Sequence, residues 1–515
     1  MTGMEILLEK VLLAIYYLTL GSLAIYGSHR LVLIALYYRN RHRLNPSVAA
    51  PSDWPVVTIQ LPLFNEMYVA SRLIDSICRL DYPRDRLEIQ VLDDSTDETS
   101  KLVSERVSHY LSRGFRIDHL RRTHRHGYKA GALENGLTRA RGNLLAVFDA
   151  DFSPRPDFLK QTVPHFANPE VGMVQARWEH INRRYSLLTR IQAILLDGHF
   201  AIEHAARHAS GRFFNFNGTA GIWRKEAIVD AGGWQHDTLT EDLDLSFRAQ
   251  LRGWRFIFLP AVIAPAELPV DIHAFKSQQF RWAKGSIQTA RKLLDTILRS
   301  SVATPIKVEA LIHLTSNACY PLMILLSLLM FPAMYLRRDA DPRMLLLLDL
   351  PIFLGATGAI VLFYIISQMV VRPDGRRNLR TIPSLMGLGV GLAVNNTRAV
   401  LSGLLHDGGE FQRTQKYHIE NPADRWLGKQ YHALRTRTVI FESVLAGYMI
   451  LCFTVACSLR MWFSLPFLYL FLHGYCYMTF LTLQHERATR SFKDLGAPSM
   501  RLATSTDDTA AELGT

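Results

Sequence analysis

Apolar residues along the chain form two kinds of run, long continuous runs near both ends and short β-branched runs in the middle. The first long run covers Ile6–Tyr26 and continues to Tyr38, and another covers Ala310–Leu336 without any charged residue. Each is long enough to cross a bilayer as a helix. Between 50 and 300, short apolar strands alternate with stretches of helical spacing. This pattern predicts a polar α/β domain held between membrane helices.

Two later apolar runs predict three more membrane helices. Met344–Val371 contains Asp349 as its single charged residue. Val439–Leu483 contains only Glu442 and Arg460 across a length that requires two spans. With the first two runs, this predicts five spans in all.

The run Thr381–Leu405 is apolar but contains Asn395, Asn396 and Arg398. Because polar groups are costly in the lipid core, we expect a helix that lies at the membrane interface or re-enters it. Five spans then place the N-terminus outside and the central domain in the cytoplasm. This orientation places the loop 337–343 outside although it contains three arginines, and basic residues favour the cytoplasmic side.

The pattern divides the chain into six parts. The alternation of strand and helix in the central part predicts a Rossmann-like, mostly parallel sheet that binds its ligand at the carboxyl ends of the strands. The parts are an N-terminal membrane helix at 1–44, an α/β domain at 50–300 ending in an interfacial helix at 273–294, two membrane helices at 305–372, an interfacial helix and a loop at 380–430, two membrane helices at 436–485, and a disordered tail at 487–515.

The net charge of +12 points first to nucleic acid, but the basic residues border the apolar runs rather than forming one stripe. Anionic lipid headgroups and the positive-inside rule explain this placement, so we expect a lipid bilayer and no nucleic acid as partner. The five cysteines are scattered and lack the spacing of a zinc site. We expect them to be free thiols.

Acidic residues follow two of the predicted strands. Asp93 and Asp94 come after the run Leu87–Leu92, and Asp149 and Asp151 come after another apolar run. Carboxylates at strand ends point into a crevice where a phosphorylated ligand binds, and their oxygens suit Mg²⁺ or Mn²⁺. Each pair taken alone is also typical of a solvated turn.

Two further motifs lie on predicted helices. Thr240-Glu241-Asp242 precedes an apolar helical pattern, where Thr240 is a plausible N-cap and acidic residues suit the first turn. Gln278-Gln279-Phe280-Arg281-Trp282 lies on the basic amphipathic segment 273–294, which by itself indicates a helix at the membrane surface.

Together and in this order, the four motifs resemble those of the processive family 2 glycosyltransferases, which include cellulose, hyaluronan, chitin and mannan synthases. The amino-acid sequence is most similar to that of the plant cellulose synthase-like A and C proteins and their bacterial relatives. The similarity lies in four segments, 61–66, 91–97, 216–221 and 278–285. The resemblance implies a GT-A-type fold. It also implies inverting transfer of glucose or mannose from a UDP- or GDP-sugar to the end of a β-glycan, coupled to export across the membrane.

The resemblance also implies roles for individual residues. Asp242 is the expected catalytic base, Trp282 and Glu241 are expected to bind the acceptor, and Asp149 and Asp151 are expected to hold Mg²⁺ or Mn²⁺. The residues expected to bind the nucleotide-sugar are Asn65, Glu66, Asp93, Asp94, Lys129, Asp149, Gln278 and Arg281.

The segment 411–416 resembles the gating loop of cellulose synthases. Phe411, Thr414 and Lys416 match that loop, whereas Arg413 stands where it has valine. This predicts a loop that closes over bound nucleotide, with a plain basic juxtamembrane loop as the alternative.

Two other functions remain open. A non-processive enzyme that adds sugars to a lipid shares the acidic motifs, although Gln278–Trp282 and the loop favour a polymerase. A transporter with a cytoplasmic binding domain has no need of the acidic set, and the sequence has no Walker-type phosphate loop. We expect an integral membrane protein of a bacterial inner membrane, or of the Golgi if the source is a plant.

Overall fold

The computed structural model describes residues 3–44, 48–372, 375–431 and 438–494. A long helix, α1 (Gly3–Asn40), leads into a domain built on one seven-stranded sheet. The strands are β1 (Val57–Leu63), β2 (Leu87–Asp93), β3 (Ile117–Arg121), β4 (Leu144–Val147), β5 (Val171–His180), β6 (Gly221–Arg224) and β7 (Arg255–Ala266).

The sheet has the strand order β3-β2-β1-β4-β6-β5-β7. Strand β6 is antiparallel to both of its neighbours, and the other four neighbouring pairs are parallel. The predicted mostly parallel α/β sheet is therefore confirmed. The carboxyl ends of β1, β2 and β4 lie side by side, because β1 pairs in parallel with both of the others.

Helices cover both faces of the sheet, so alternate strand residues enter two separate cores. Val57, Ile59 and Leu61 belong to one core, and Leu145 and Val147 belong to the other. The helices of this domain are α2 (Ala70–Cys78), α3 (Thr99–Leu111), α4 (Tyr128–Arg139), α5 (Phe158–Thr162), α6 (Leu187–Gly198), α7 (Ala205–Ala209), α8 (Lys225–Asp230), α9 (Glu241–Leu251) and α10 (Ile272–Arg299), with a π-helix at His199–His204 between α6 and α7.

The remaining helices form the membrane region. Within the described residues, four helical stretches are long and apolar enough to cross a membrane, Met4–Arg43, Thr304–Leu336, Arg343–Val371 and Thr438–Ser458. The individual helices are α11 (Thr304–Thr315), α12 (Cys319–Leu336), α13 (Pro342–Phe353), α14 (Ala359–Val371), α15 (Ile382–Gly391), α16 (Ala393–Leu405), α17 (Thr438–Ser458) and α18 (Leu465–Asp494). These stretches mark the chain as a membrane protein, whereas the crossing of α18, the fifth expected span, stays a prediction.

The C-terminal helix is longer than expected. The disordered tail predicted at 487–515 is wrong over its first eight residues, because α18 continues to Asp494. His485 bonds to Asp271 at the start of α10 at 3.2 Å, which holds this end of the helix against α10. Within α18, Glu486 pairs with Arg490 one turn later at 3.6 Å. The remainder of that prediction, 495–515, lies outside the described residues.

Candidate active site

A cleft of about 1170 Å³, partly open to solvent, lies at the carboxyl ends of the parallel strands. Its walls come from the turns after β1, β2 and β4, from the N-terminal part of α9, from α10 and from the loop that follows α16. The lining brings acidic, basic and aromatic side chains together in one cleft.

The two acidic residues after β4 face lysines across the cleft. Lys129 Nζ donates to Asp149 Oδ1 at 2.5 Å, and Lys416 Nζ donates to Asp151 Oδ2 at 2.6 Å. Burial alone would lower the pKa of Lys129, but Asp149 and Glu241 outweigh it and raise that pKa. The ammonium group of Lys129 is therefore charged, and each of the two lysines pairs with one carboxylate.

The same pair of carboxylates fits a hard divalent cation. No cluster of three or more His, Cys, Asp or Glu side chains suited to a metal occurs in the described parts of the chain. Mg²⁺ in phosphate-transferring sites is commonly held by one or two carboxylates, with substrate phosphates and water completing its shell. Asp149 and Asp151 are two carboxylates of this kind, and each is paired with a lysine in the structure.

Asp242 lies on the first turn of α9, at the helix start predicted from the sequence. Its Oδ1 accepts the N–H of Leu243 at 2.8 Å, and burial together with the charge of Glu241 raises the pKa of Asp242 to about 7. Thr240 does not cap the helix with its side chain and instead lies 3.4 Å from the hydroxyl of Thr289. A carboxylate with a pKa near neutrality is suited to accept a proton from a hydroxyl group.

Helix α10 places its motif beside Asp242. Gln278, Arg281 and Trp282 all line the cleft. The close approach of α10 to Thr240 depends on Gly285, because a Cβ there would lie 2.5 Å from Thr240 Cγ2. Asp271 is the N-cap residue of α10, and its side chain accepts the N–H of Ala274 at 3.2 Å.

The loop after α16 forms part of the cleft lining. Phe411, Thr414 and Lys416 line it, and the guanidinium carbon of Arg281 lies 4.4 Å from the centre of the Phe411 ring. Arg413 reaches Glu66 at 3.6 Å, and its guanidinium carbon lies 4.2 Å from the centre of the Tyr431 ring. Burial raises the pKa of Glu66 to about 7, although Arg413 opposes this.

The remaining predicted residues lie around β1 and β2. Glu66 and Asp94 line the cleft, and Asp94 is held by Arg122, whose Nε donates at 2.9 Å. Asn65 bonds instead to the backbone N–H of Thr96 at 2.8 Å. The buried carboxylate of Asp93 accepts hydrogen bonds from His119 at 2.8 Å and from the Ser95 N–H at 2.8 Å.

Asp93 and Asn65 therefore support the turn and are not among the residues that line the cleft. Burial would raise the pKa of Asp93, but the hydrogen bonds from His119 and Ser95 outweigh burial and hold it below its usual value. Asp93 stays ionised and ties β2 to β3.

Several polar residues line the cleft without having been expected from the sequence. Arg413 was noted only as a departure from a pattern, and Arg125 lies within a basic run after β3, so both carried a weak signal. Asn217 lies in the segment 216–221, which resembles the family but had no role assigned to it. No motif marks Trp178, His180 or Glu267.

The sequence is similar to known glycosyltransferases. Residues 55–285 match the family model described as glycosyltransferase like family 2. The chain is 42% identical over 305 residues to glucomannan 4-beta-mannosyltransferase 2 of Arabidopsis thaliana, covering 56% of this chain and 57% of that protein. It is 35% identical over 412 residues to probable glucomannan 4-beta-mannosyltransferase 7 of Oryza sativa subsp. japonica, covering 78% of this chain and 68% of that protein.

The fold has a solved counterpart. The mannosyltransferase PcManGT from Pyrobaculum calidifontis, solved in complex with GDP-Man and Mn²⁺, superimposes with a TM-score of 0.50 at 22% identity, covering 75% of this chain and 99% of that chain. The predicted GT-A-type fold is thereby confirmed.

Proposed function

Because this chain belongs to the family 2 glycosyltransferases of the cellulose synthase-like type, we propose that it transfers hexosyl units to the end of a growing β-glycan. The observation that carries the proposal is the meeting of Asp242, Arg281 and Trp282 with Asp149 and Asp151 in one cleft. The relatives are named glucomannan 4-beta-mannosyltransferases, which favours mannose over glucose and GDP-mannose as the first donor to test.

The charged half of the cleft suits the diphosphate of a nucleotide-sugar. Lys129, Lys416 and Arg281 bring three cationic side chains to the lining. The planar guanidinium of arginine can meet two phosphate oxygens at once, and lysine acts as a point charge. When bound at Asp149 and Asp151, Mg²⁺ or Mn²⁺ would help to neutralise the leaving diphosphate.

Asp242 is the proposed base, and Trp282 with Glu241 holds the acceptor. The acceptor hydroxyl gives its proton to the carboxylate of Asp242 while its oxygen forms a bond to C1 of the donor sugar. The bond between C1 and the diphosphate oxygen breaks, and the nucleoside diphosphate leaves. A single in-line displacement converts an α-linked donor into a β-linked product.

The membrane helices give the proposed setting. We infer an integral protein that crosses the membrane several times, with the cleft on the cytoplasmic side of a bacterial inner membrane, or of a Golgi membrane if the source is a plant. The basic residues next to the predicted spans, such as those at 39–43 and 376–380, support this orientation.

The direct test uses purified protein in lipid nanodiscs with radiolabelled GDP-mannose and, separately, UDP-glucose, followed by sizing and linkage analysis of the product. A long β-linked polymer supports the proposal. A lipid with one or a few added sugars supports the non-processive enzyme instead. An α-linked product contradicts the mechanism, and absence of transfer from every donor contradicts the activity.

A further inference from the structure

A second cavity lies outside the cleft, where two membrane helices reach the catalytic domain. It has a volume of about 1060 Å³, opens to the surroundings, and shares no lining residue with the cleft. Tyr37 of α1 and Val371 of α14 line it, and both helices belong to stretches that are long and apolar enough to cross a membrane. Both helices end beside the cavity, α1 at Asn40 and α14 at Val371. The cavity therefore lies at the level where these two predicted spans leave the membrane.

The opposite wall of this cavity is made by a break in the sheet. Strands β5 and β7 are parallel, but their register shifts between Ala176 and Arg177, which leaves 260–262 of β7 without paired residues on β5. Pro260 and Ala261 of this bulge line the cavity. Bulges are common on edge strands such as β7, and they re-aim side chains. This one brings the sheet up to the ends of the membrane helices.

Arg177 holds the bulge and lines the cavity. Its Nε donates to the backbone oxygen of Pro260 at 2.9 Å. Its Nη1 is buried, makes no hydrogen bond to any described residue, and lies 3.6 Å from Glu179 Oε2. The positive-inside rule concerns loops next to spans, so it does not account for an arginine on a strand of the sheet. A guanidinium that is anchored through one nitrogen and unpaired at another indicates an anionic ligand.

The surroundings of Arg177 stay positive when their acidic residues are counted. Glu179 also lies 3.0 Å from Arg183 and 3.1 Å from Arg372. Arg183 is paired in turn with Asp197 at 2.7 Å. Three arginines therefore share two carboxylates, which leaves an excess of one positive charge on this side of the cavity.

Arg41 adds charge from the membrane side. It lies on the short 3₁₀-helix Arg41–Arg43 that follows α1, and it lines the cavity together with His42. None of the described residues in the lining is acidic. Two arginines on opposite walls can hold a phosphate through charge-assisted hydrogen bonds. The lack of a carboxylate in the lining leaves no partner for the ammonium group of a zwitterionic lipid.

We propose that this cavity binds the phosphate group of an anionic glycerophospholipid from the membrane leaflet next to the catalytic domain. Leu44, Val370 and Val371 supply apolar lining beside the arginines, which suits the glycerol ester region of a lipid rather than free phosphate in water. The cavity also lies where lipids that surround the two spans have their headgroups. The inference goes beyond the proposed function, because lipid binding does not require sugar transfer.

The test titrates the purified protein in detergent with dioleoylphosphatidylglycerol and follows binding by native mass spectrometry. Dioleoylphosphatidylcholine, glycerol 3-phosphate and inorganic phosphate are titrated in parallel. We expect phosphatidylglycerol to bind more tightly than phosphatidylcholine, and both soluble phosphates to bind far more weakly. Arg41→Gln and Arg177→Gln should each lower the affinity for phosphatidylglycerol about fivefold, which is roughly the contribution of one arginine next to anionic headgroups.

The matched control is Arg43→Gln, since Arg43 is an exposed arginine two residues after Arg41 and is not part of the cavity lining. It should bind phosphatidylglycerol as the parent protein does. The affinity for GDP should be unchanged in every variant, and Arg41→Gln tests the site without a change in the sheet if Arg177→Gln disturbs the bulge.

Three results would overturn the lipid site. They are the same affinity for phosphatidylglycerol in Arg41→Gln as in the parent protein, an equal loss in Arg43→Gln, and equally tight binding of phosphatidylcholine. A soluble phosphate that binds as tightly as the lipid and is lost in Arg177→Gln would assign the cavity to free phosphate and would also contradict the proposal. None of these results bears on sugar transfer in the cleft.

Discussion

Asp242 lies between Glu241, which disfavours its ionisation, and Lys129, which favours it, and burial adds to the first effect. We expect Asp242→Asn to bind GDP with unchanged affinity and to lose transfer by roughly a hundred- to ten-thousandfold, because the amide cannot accept the acceptor proton. Calorimetry and single-turnover transfer measure the two effects. Asp230→Asn makes the same change on the surface and should alter neither. Loss of GDP binding in Asp242→Asn would indicate a structural role.

The pH dependence follows from the same residue. The pKa of Asp242 is raised to about 7, so below this pH the carboxyl group is protonated and cannot act as a base. We therefore expect kcat/KM for the acceptor to rise as pH increases through about 7 and then to level off. Glu66 has a pKa raised into the same range. Glu66→Gln should retain the pH profile, and a flat profile in that variant would assign the titration to Glu66 instead.

The predictability of the site differs from residue to residue. Asp149 and Asp242 could be placed because each follows a local pattern, a strand end or a helix start, and Trp282 because its motif lies on an amphipathic helix. The inward burial of Asp93 could not, because its partner His119 comes from the neighbouring strand β3. The contact between Asn217 and His199 could not be predicted either, because no local pattern encodes it.

At the scale of elements, Gly285 sets the distance between α9 and α10. A Cβ at this position would lie 2.5 Å from Thr240 Cγ2 and 2.8 Å from the Thr240 backbone N. We expect Gly285→Ala to push α10 away from Asp242 and to lower kcat by about a hundredfold, since small misplacements of reacting groups have such effects. Gly389→Ala on α15 has open space and should keep full activity. Full activity of Gly285→Ala would show that the two helices move apart without consequence.

A buried ion pair joins α10 to the last two helices. Lys276 Nζ bonds to both oxygens of Glu442 at 2.8 Å and to Thr482 at 2.8 Å, and neither charged side chain is exposed. We expect Glu442→Ala to lower the free energy of unfolding by about 3–5 kcal/mol, because it leaves a buried charge unpaired. Denaturant unfolding in detergent measures this.

The double variant Lys276→Met with Glu442→Leu is the control for that prediction. It removes both charges and keeps apolar volume, so it should recover most of the lost stability. A double variant as unstable as Glu442→Ala would show that the packing of α10, rather than the unpaired charge, accounts for the loss.

The apolar runs predicted where the helices lie, but not where each helix ends or which helices pack together. The break predicted near 458–464 lies between α17 and α18, but the extension of α18 depends on the contact between His485 and Asp271. The arginines at 337–343 opposed the predicted orientation, and contacts between helices account for one of them. Arg337 bonds to Asp349 at 2.8 Å and to the hydroxyls of Tyr16 and Tyr17, so Asp349 balances its charge.

At the scale of the whole molecule, the α/β class followed from the alternation of strands and helices, but the strand order did not. Strand β6 enters the sheet antiparallel between β4 and β5, and nothing in the short run 221–224 indicates its direction. This insertion matters for the site, because the turn before β6 carries Asn217 and Gly218 to the side of Asp242. The geometry of the cleft therefore depends on topology as well as on motifs.

The catalytic and membrane parts are packed together on both sides of the cleft, through α6 against α14 and α15 and through α10 against α16 and α18. An acceptor held by Trp282 would extend toward these helices, which motivates the hypothesis that synthesis and export occur in this one chain. In sealed vesicles with the catalytic domain outward, we expect new polymer to be protected from added β-mannanase.

Two controls support the interpretation of that experiment. Detergent that opens the vesicles should abolish the protection, and Asp242→Asn should give no polymer in either compartment. The protected polymer is also sized, because a protected chain that grows with reaction time must extend beyond the cleft into the lumen. If β-mannanase digests all polymer while the vesicles stay intact, this chain performs synthesis only, and a separate protein must carry the glycan across the membrane.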